Sequence, residues 1–278
     1  MKVVSYELNK TDSDKILSIV IPTKSISGDL FKEAKTNLEK ISENLKENVT
    51  LTAVEDSGEG FSFSKSVNKG LEEISADIYL NMNDDVTLSE NSLEKAIKIA
   101  SSMNTVVGAV LYYPNRTLQH AGASIDLVSS TIDRSFIGYF LKEVKIHRAP
   151  FFAFRNVNYM RNIGLNKFLD INHYRKINTS NKGIVTGAFH MFSSEILKNT
   201  GGYDENYRVG FEDIDFCLRA LQSGINIRLS TEINGVHCES ISTGRVVYSL
   251  DIIKYFQEKW ANEKTVKLVE NNGPLYLK

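Results

Sequence analysis

LSIVIP, residues 17–22, is a short apolar run rich in β-branched residues and closed by proline, the pattern of a strand buried inside a parallel sheet. Two more runs of this kind follow. VTLTAVE at 49–55 ends on the turn-forming Asp56, Ser57 and Gly58, and DIYLNM at 77–82 ends on Asn83, Asp84 and Asp85. Helical patterns separate and follow them: a mixed stretch through Leu45, then Val67, Leu71 and Ile74 on one stripe, and Leu93, Ala96, Ile97 and Ala100 on another. A strand over 105–111 comes next. This alternation predicts an α/β fold with a mostly parallel sheet flanked by helices, in which 17–22 is the first strand after a polar leader.

From Tyr112 the pattern loosens, and residues 133–182 become aromatic and basic, with Phe151, Phe152, Phe154, Arg148, Arg155 and Arg161 among them. That segment reads either as an irregular excursion packed on the sheet or as a mobile flap over a substrate. Order returns at 183–192. A helix starting at Glu212 carries Ile214, Cys217, Leu218 and Leu221 on one face and stops at Gly224. A strand over 225–229, the segment Gly235-Val236-His237 and an amphipathic helix over 250–260 complete the pattern.

Composition excludes several classes. Of 278 residues, 33 are Lys or Arg and 34 are Asp or Glu, a formal charge of −1, so no global attraction to nucleic acid or anionic membrane exists. Cys217 and Cys238 are the only cysteines and form no CxxC pair, which favours free thiols in a reducing cytosol. No window approaches the roughly 20 apolar residues of a membrane span. The expectation is a cytoplasmic protein, soluble or peripheral at a membrane.

Neither a GxxxxGK[ST] loop nor a GxGxxG after the first strand is present, against P-loop enzymes and dehydrogenases. In open α/β sheets ligands sit beyond the carboxyl ends of the strands, here Pro22-Thr23, Glu55-Asp56 and Asn83-Asp84-Asp85. Nucleotide phosphates tolerate such carboxylates when a hard divalent cation lies between them, so the acidic turn predicts Mg²⁺ or Mn²⁺. Taken alone, Asp84 and Asp85 equally suit a turn and a helix cap.

Six segments, in order, decide between these. SIVIPT (18–23), FSKSVNKG (63–70), LNMNDDV (80–86), YPNRTLQHAG (113–122), the run TGAFHMFSSEILKNTGGYDENYRVGFEDIDFCLR (186–219) and VHCESIS (236–242) together resemble the family 2 glycosyltransferases of the GT-A fold, particularly bacterial rhamnosyltransferase-like members acting on surface polysaccharides. The resemblance implies a nucleotide-sugar-binding half over 1–111, an acceptor-binding and catalytic half over 112–248 with a flexible 133–182, and a C-terminal helix and tail over 249–278.

It also implies roles. Asn83-Asp84-Asp85 stands for the DxD motif, with Asp85 on the metal and Asp84 near ribose or phosphate; Asn83 departs from the first aspartate and brings no charge. Glu55 or Asp56 falls at the donor's base, Pro22 and Thr23 at the donor edge, and Lys65 in a donor-side loop. Thr186, Gly187 and Ala188 match an acceptor-side segment. Asp213 of the ED pair would be the general base, Glu212 would orient the acceptor, and His237 would complete the metal's shell with Asp85. His120 is left as packing or acceptor-side. The implied reaction is inverting transfer from a UDP-, GDP- or dTDP-sugar to a glycan or lipid-linked acceptor. The rivals are a sugar-nucleotide nucleotidyltransferase, whose glycine- and arginine-rich phosphate loop residues 23–30 do not supply, and a catalytically silent sugar-nucleotide-binding module.

Overall fold

The computed structural model describes residues 1–58, 60–102, 104–128, 151–156, 180–181, 183–238 and 250–271. Its first strand is not 17–22. β1 (Lys2–Asn9) precedes it and pairs antiparallel with β3 (Asn48–Glu55) at one edge of the sheet. There Val4, Tyr6 and Leu8 are half-buried while Ser5 and Glu7 between them are exposed. A strand covered on one side carries only this diluted alternation, so it resembles a polar leader.

β2 (Ile16–Thr23) lies between β3 and β4 (Ile78–Met82), parallel to both. It is covered on both faces, and its side chains alternate between two cores with the period of a strand. Leu17, Ile19 and Ile21 share a core with Phe31 and Leu38 of α1 (Asp29–Ser42) and Leu93 and Ile97 of α3 (Ser92–Ser102). Val20 shares the other with Val67 and Leu71 of α2 (Phe63–Glu73).

Beyond β4 the sheet stops being parallel. β11 (Phe189–Ser193) runs antiparallel between β4 and β6 (Thr105–Tyr112), and β12 (Asn226–His237) then runs parallel to β6. Short β5 (Val86–Leu88) pairs with β12, β7 (Leu118–His120) with β6, and β10 (Ser180–Asn181) with β12, all antiparallel. Among the described residues the sheet has ten strands in mixed sense, and the parallel pairing predicted from the alternation is found in β3-β2-β4 and between β6 and β12. Residues 225–229 and 235–237, expected as separate pieces, belong to one strand; its register against β6 shifts between Ser230 and Asn234, which breaks the apolar pattern there. β8 (Ala123–Val128) and β9 (Phe151–Asn156) form a separate antiparallel pair. Apart from 151–156 and 180–181, the proposed flap over 133–182 lies outside the described residues.

The second face of the sheet is closed by α4 (Ser194–Thr200), α5 (Glu212–Gln222), α6 (Leu250–Trp260) and α7 (Glu263–Asn271). One buried carboxylate ties these helices together. Asp215, on α5, accepts from Arg219 Nε (2.7 Å), from Lys259 Nζ (2.7 Å) and from Trp260 Nε1 (2.8 Å). Arg219 also donates to the carbonyls of Thr200 and Gly202, and Lys259 pairs with Asp204 at 2.7 Å. A fully buried charge is tolerable only with such complete pairing.

Gly235 marks the tightest approach in the β5–β12 pair, since a Cβ there would lie 2.5 Å from the Thr87 carbonyl oxygen. Backbone cannot yield as a flexible side chain does. Gly235→Ala is expected to lower stability by roughly 1–3 kcal/mol, measured by urea unfolding; an unchanged midpoint contradicts this close packing.

Candidate active site

The parallel strands end side by side and their polar groups interlock. Register places Thr23 opposite Glu55, the Asp56 N–H donates to the Thr23 carbonyl (2.9 Å), and Thr23 Oγ1 donates to Asp84 Oδ2 (2.7 Å). Pro22 is buried just below, opposite Val54. Burial raises the Asp84 carboxyl above its ordinary range; the Thr23 hydrogen bond opposes that rise and the charge of Asp85 adds to it. Lys65 stands apart, exposed on the first turn of α2, where Ser62 caps its N–H. Thr23, Glu55, Asp56 and Asp84 therefore come together, and Lys65 does not join them through any described contact.

Sheet pairing delivers His237 to Asp85. His237 lies opposite Val86 in the β5–β12 ladder, and the Cys238 N–H donates to the Asp85 carbonyl (3.0 Å). His237 Nε2 is then 3.1 Å from Asp85 Oδ1. On the far side of the ring, Nδ1 lies 2.7 Å from Gln119 Oε1, while Gln119 Nε2 donates to the carbonyl of His237 itself (3.1 Å). With its amide nitrogen committed to that carbonyl, Gln119 offers the ring an acceptor, so Nδ1 is the donor toward Gln119, and a ring protonated on Nδ1 alone would leave a lone pair on Nε2.

Asp85 Oδ1 lies 3.1 Å from Nε2, and no hydrogen bond satisfies it among the described residues. Asn83 Oδ1 is buried without a partner too, and Asn83 Nδ2 reaches His237 Nε2 only at 3.5 Å. Unsatisfied buried acceptors cost about 1–3 kcal/mol each. A hard divalent cation fits this donor set, because one carboxylate oxygen and one imidazole nitrogen leave most of its shell for substrate phosphate and water. Among the described residues no group of three His, Cys, Asp or Glu side chains forms a self-sufficient metal centre.

Residues 186–188 meet this cluster at the end of β4. The Asn83 N–H donates to the Ala188 carbonyl (3.2 Å), and Asn81 Nδ2 donates to the Gly187 carbonyl (2.7 Å). Gly187 N–H in turn donates to Asp213 Oδ2 (3.0 Å), while Asp213 Oδ1 accepts from the Ile214 N–H (2.8 Å). A Cβ at 187 would sit 3.0 Å from that of Asp213, so glycine lets the carboxylate lie directly over the backbone. The chain enters α5 through Gly210 (φ 92°) and Phe211 (φ 70°), left-handed conformations that for Phe211 store on the order of 1 kcal/mol or more. Phe211 is stacked on Phe256 of α6, ring centroids 4.8 Å apart.

His120 is bonded to the backbone of the 186–188 segment: its Nε2 accepts from the Thr186 N–H at 3.1 Å, and burial, with His190 and His237 nearby, holds it down at about 3, hence neutral. Gln119 is the site residue the sequence did not flag. Neighbouring residues of a strand point to opposite faces, so β7 sends Gln119 to His237 and His120 to Thr186. Its only sequence signal is a polar pair on a short strand after the YPNRT turn.

Glu212 is buried, and burial followed by the charge of Asp213 pushes its carboxyl up to about 8. It is therefore protonated at neutral pH, with Oε2 unpartnered among the described residues.

The family described as glycosyltransferase like family 2 matches residues 29–252, so the chain belongs to that family. The crystal structure of GalNAc-T7 with UDP, GalNAc and Mn²⁺ superposes with a TM-score of 0.56 at 10% identity, covering 91% of this chain and 49% of that one; the architecture is the GT-A fold. An uncharacterized protein of Sinorhizobium fredii is 27% identical over 187 residues, 66% of this chain but only 18% of that protein. The chain thus spans about half the length of the one and under a fifth of the other. No helix among the described residues is long and apolar enough to cross a membrane.

Glu212 makes stability depend on pH. Between pH 4.5 and about 8 the folded chain keeps a proton that the unfolded chain has released, so stability falls as pH rises through that window. His120, uncharged in the fold, acts oppositely but only below its ordinary 6.5. From pH 6.5 to 8 the melting temperature is expected to fall by roughly 2–5 °C, and Glu212→Gln should flatten that slope. Parallel curves for the two proteins contradict a protonated Glu212.

Proposed function

We propose that this chain catalyses inverting transfer of a sugar from a UDP-, GDP- or dTDP-sugar to a hydroxyl of a glycan or lipid-linked glycan, with residues 1–111 serving mainly the donor and 112–248 the acceptor. The observation that carries this reading is the hydrogen-bonded path from Asn83 through Ala188 and Gly187 to Asp213, which puts a backbone-held carboxylate beside the acidic strand ends. GalNAc-T7, of the same fold, was crystallised with UDP, GalNAc and Mn²⁺, which supports a nucleotide-sugar donor and a divalent metal here.

In this mechanism Glu55 and Asp56 face the base, and Thr23 holds Asp84 toward ribose and phosphate. Asp85 and His237 would hold Mn²⁺ or Mg²⁺, which when bound neutralises charge on the departing diphosphate. The acceptor lies over Gly187. Asp213 takes the proton of its hydroxyl as that oxygen forms a bond to the anomeric carbon, and the bond from that carbon to the phosphate oxygen breaks on the opposite face, its electron pair leaving with the diphosphate. One displacement inverts the configuration and needs no enzyme nucleophile. The contribution of Asp213 rests on position, which the Gly187 and Ile214 N–H groups fix. Glu212, protonated and beside it, offers a donor to an acceptor oxygen.

Asp213→Asn keeps the shape and removes the base, so transfer is expected to fall by about 10²–10⁴-fold while nucleotide binding is retained. Asp85→Ala should instead weaken Mn²⁺-dependent nucleotide binding by calorimetry. Transfer by the Asp213→Asn protein within tenfold of wild type overturns the assignment of the base.

A further inference from the structure

Gln119 binds one residue through both ends of its amide. Its Nε2 donates to the backbone carbonyl of His237 (3.1 Å), and its Oε1 lies 2.7 Å from Nδ1 of the same ring. The first bond orients the amide and the second then admits only a ring with its proton on Nδ1. The side chain is well placed to hold this geometry, since Gln119 is 6% exposed and sits on β7, anchored to β6 by the register of Leu111 with His120 and Tyr112 with Leu118. The consequence appears across the ring, where Nε2 lies 3.1 Å from Asp85 Oδ1 and Asp85 Oδ1 has no hydrogen bond among the described residues. A histidine with the other tautomer would present an N–H beside that oxygen in place of a lone pair.

We propose that Gln119 is a positioning residue that selects the Nδ1–H tautomer of His237 and so keeps the Nε2 lone pair and Asp85 Oδ1 jointly open to a divalent cation. This rests on the metal role proposed above for Asp85 and His237. A ligating histidine ordinarily owes its tautomer to the group bonded to its other nitrogen. Here a carboxamide takes the place that a carboxylate or backbone carbonyl fills at many metal sites. It gives the ring an acceptor without adding a second negative charge next to Asp84 and Asp85, where burial and mutual repulsion already raise Asp84. The pairing also reaches back to the backbone of β12, so a single side chain sets both the tautomer and the height of the ring.

The test needs two measurements on the full chain. In the metal-free protein at pH 8, nitrogen-15 NMR of the histidine rings reads the tautomer directly, with His237 assigned by its loss in His237→Gln. Calorimetry with Mn²⁺ and UDP reads metal-dependent binding. Wild type is expected to show Nδ1–H. Gln119→Leu should give a mixture or the Nε2–H form and weaken Mn²⁺-dependent UDP binding by about 10–100-fold, with an unchanged circular dichroism spectrum. Gln119→Glu retains an acceptor opposite Nδ1 and should keep the wild-type tautomer. An Nε2–H ring in wild type, or an Nδ1–H ring that persists in Gln119→Leu, overturns the role of Gln119 and leaves the metal site standing. A wild-type protein with the stated tautomer but no Mn²⁺-dependent binding overturns the metal reading itself, and with it the purpose assigned here to Gln119.

Discussion

The antiparallel insertion of β11 beside β4 is the constraint on which the site depends. Asp85 and Asp213 are far apart in sequence and belong to different supersecondary units. They share a site because the segment leading into β11 is bonded to the end of β4 through Asn81 and Asn83, and because its Gly187 N–H then grips Asp213. Each bond is modest alone, about 0.5–1.5 kcal/mol net. Together they convert the pairing of two strands into the relative position of two carboxylates. β12 does the same for His237, which reaches Asp85 through the β5 ladder rather than through any local turn.

Such a site is held at a cost. Acceptors on Asn83 and Asp85 are buried without a hydrogen bond among the described residues, Glu212 is buried beside the charge of Asp213, and Phe211 is left-handed at the start of α5. Groups of this kind are few in natural proteins and gather where ligands bind. The offsetting stability lies in the two cores around β2 and in the Asp215–Arg219–Lys259–Trp260 cluster, which clamps α6 onto the helix that bears Asp213. That clamp makes the C-terminal helices part of the scaffold beneath Asp213.

How much of this was visible in the residue order follows from the periodicities involved. β2, β3 and β4 announce themselves because strands covered on both faces are nearly unbroken apolar runs, and the strand-end carboxylates follow from where those runs stop. β1 is covered on one face and diluted by Ser5 and Glu7, β5 and β7 are three residues each, and β12 is interrupted by a register shift. Strand sense is invisible to periodicity, so the reversal at β11 could come only from the fold. The family motifs carried Asp85, Asp213 and His237, whereas Gln119 is defined by what its amide touches and therefore needed coordinates.

The central claim is that Asp85 and His237 form one side of a metal–diphosphate site whose other side is Asp213. Anomalous diffraction at the manganese edge, from crystals grown with Mn²⁺ and UDP, addresses it most directly. The account predicts one strong anomalous peak about 2.1 Å from both Asp85 and His237 Nε2, with diphosphate oxygens completing the shell on the side facing Gly187 and Asp213. A peak elsewhere, or a diphosphate bound away from the strand ends with no ion at Asp85, contradicts it.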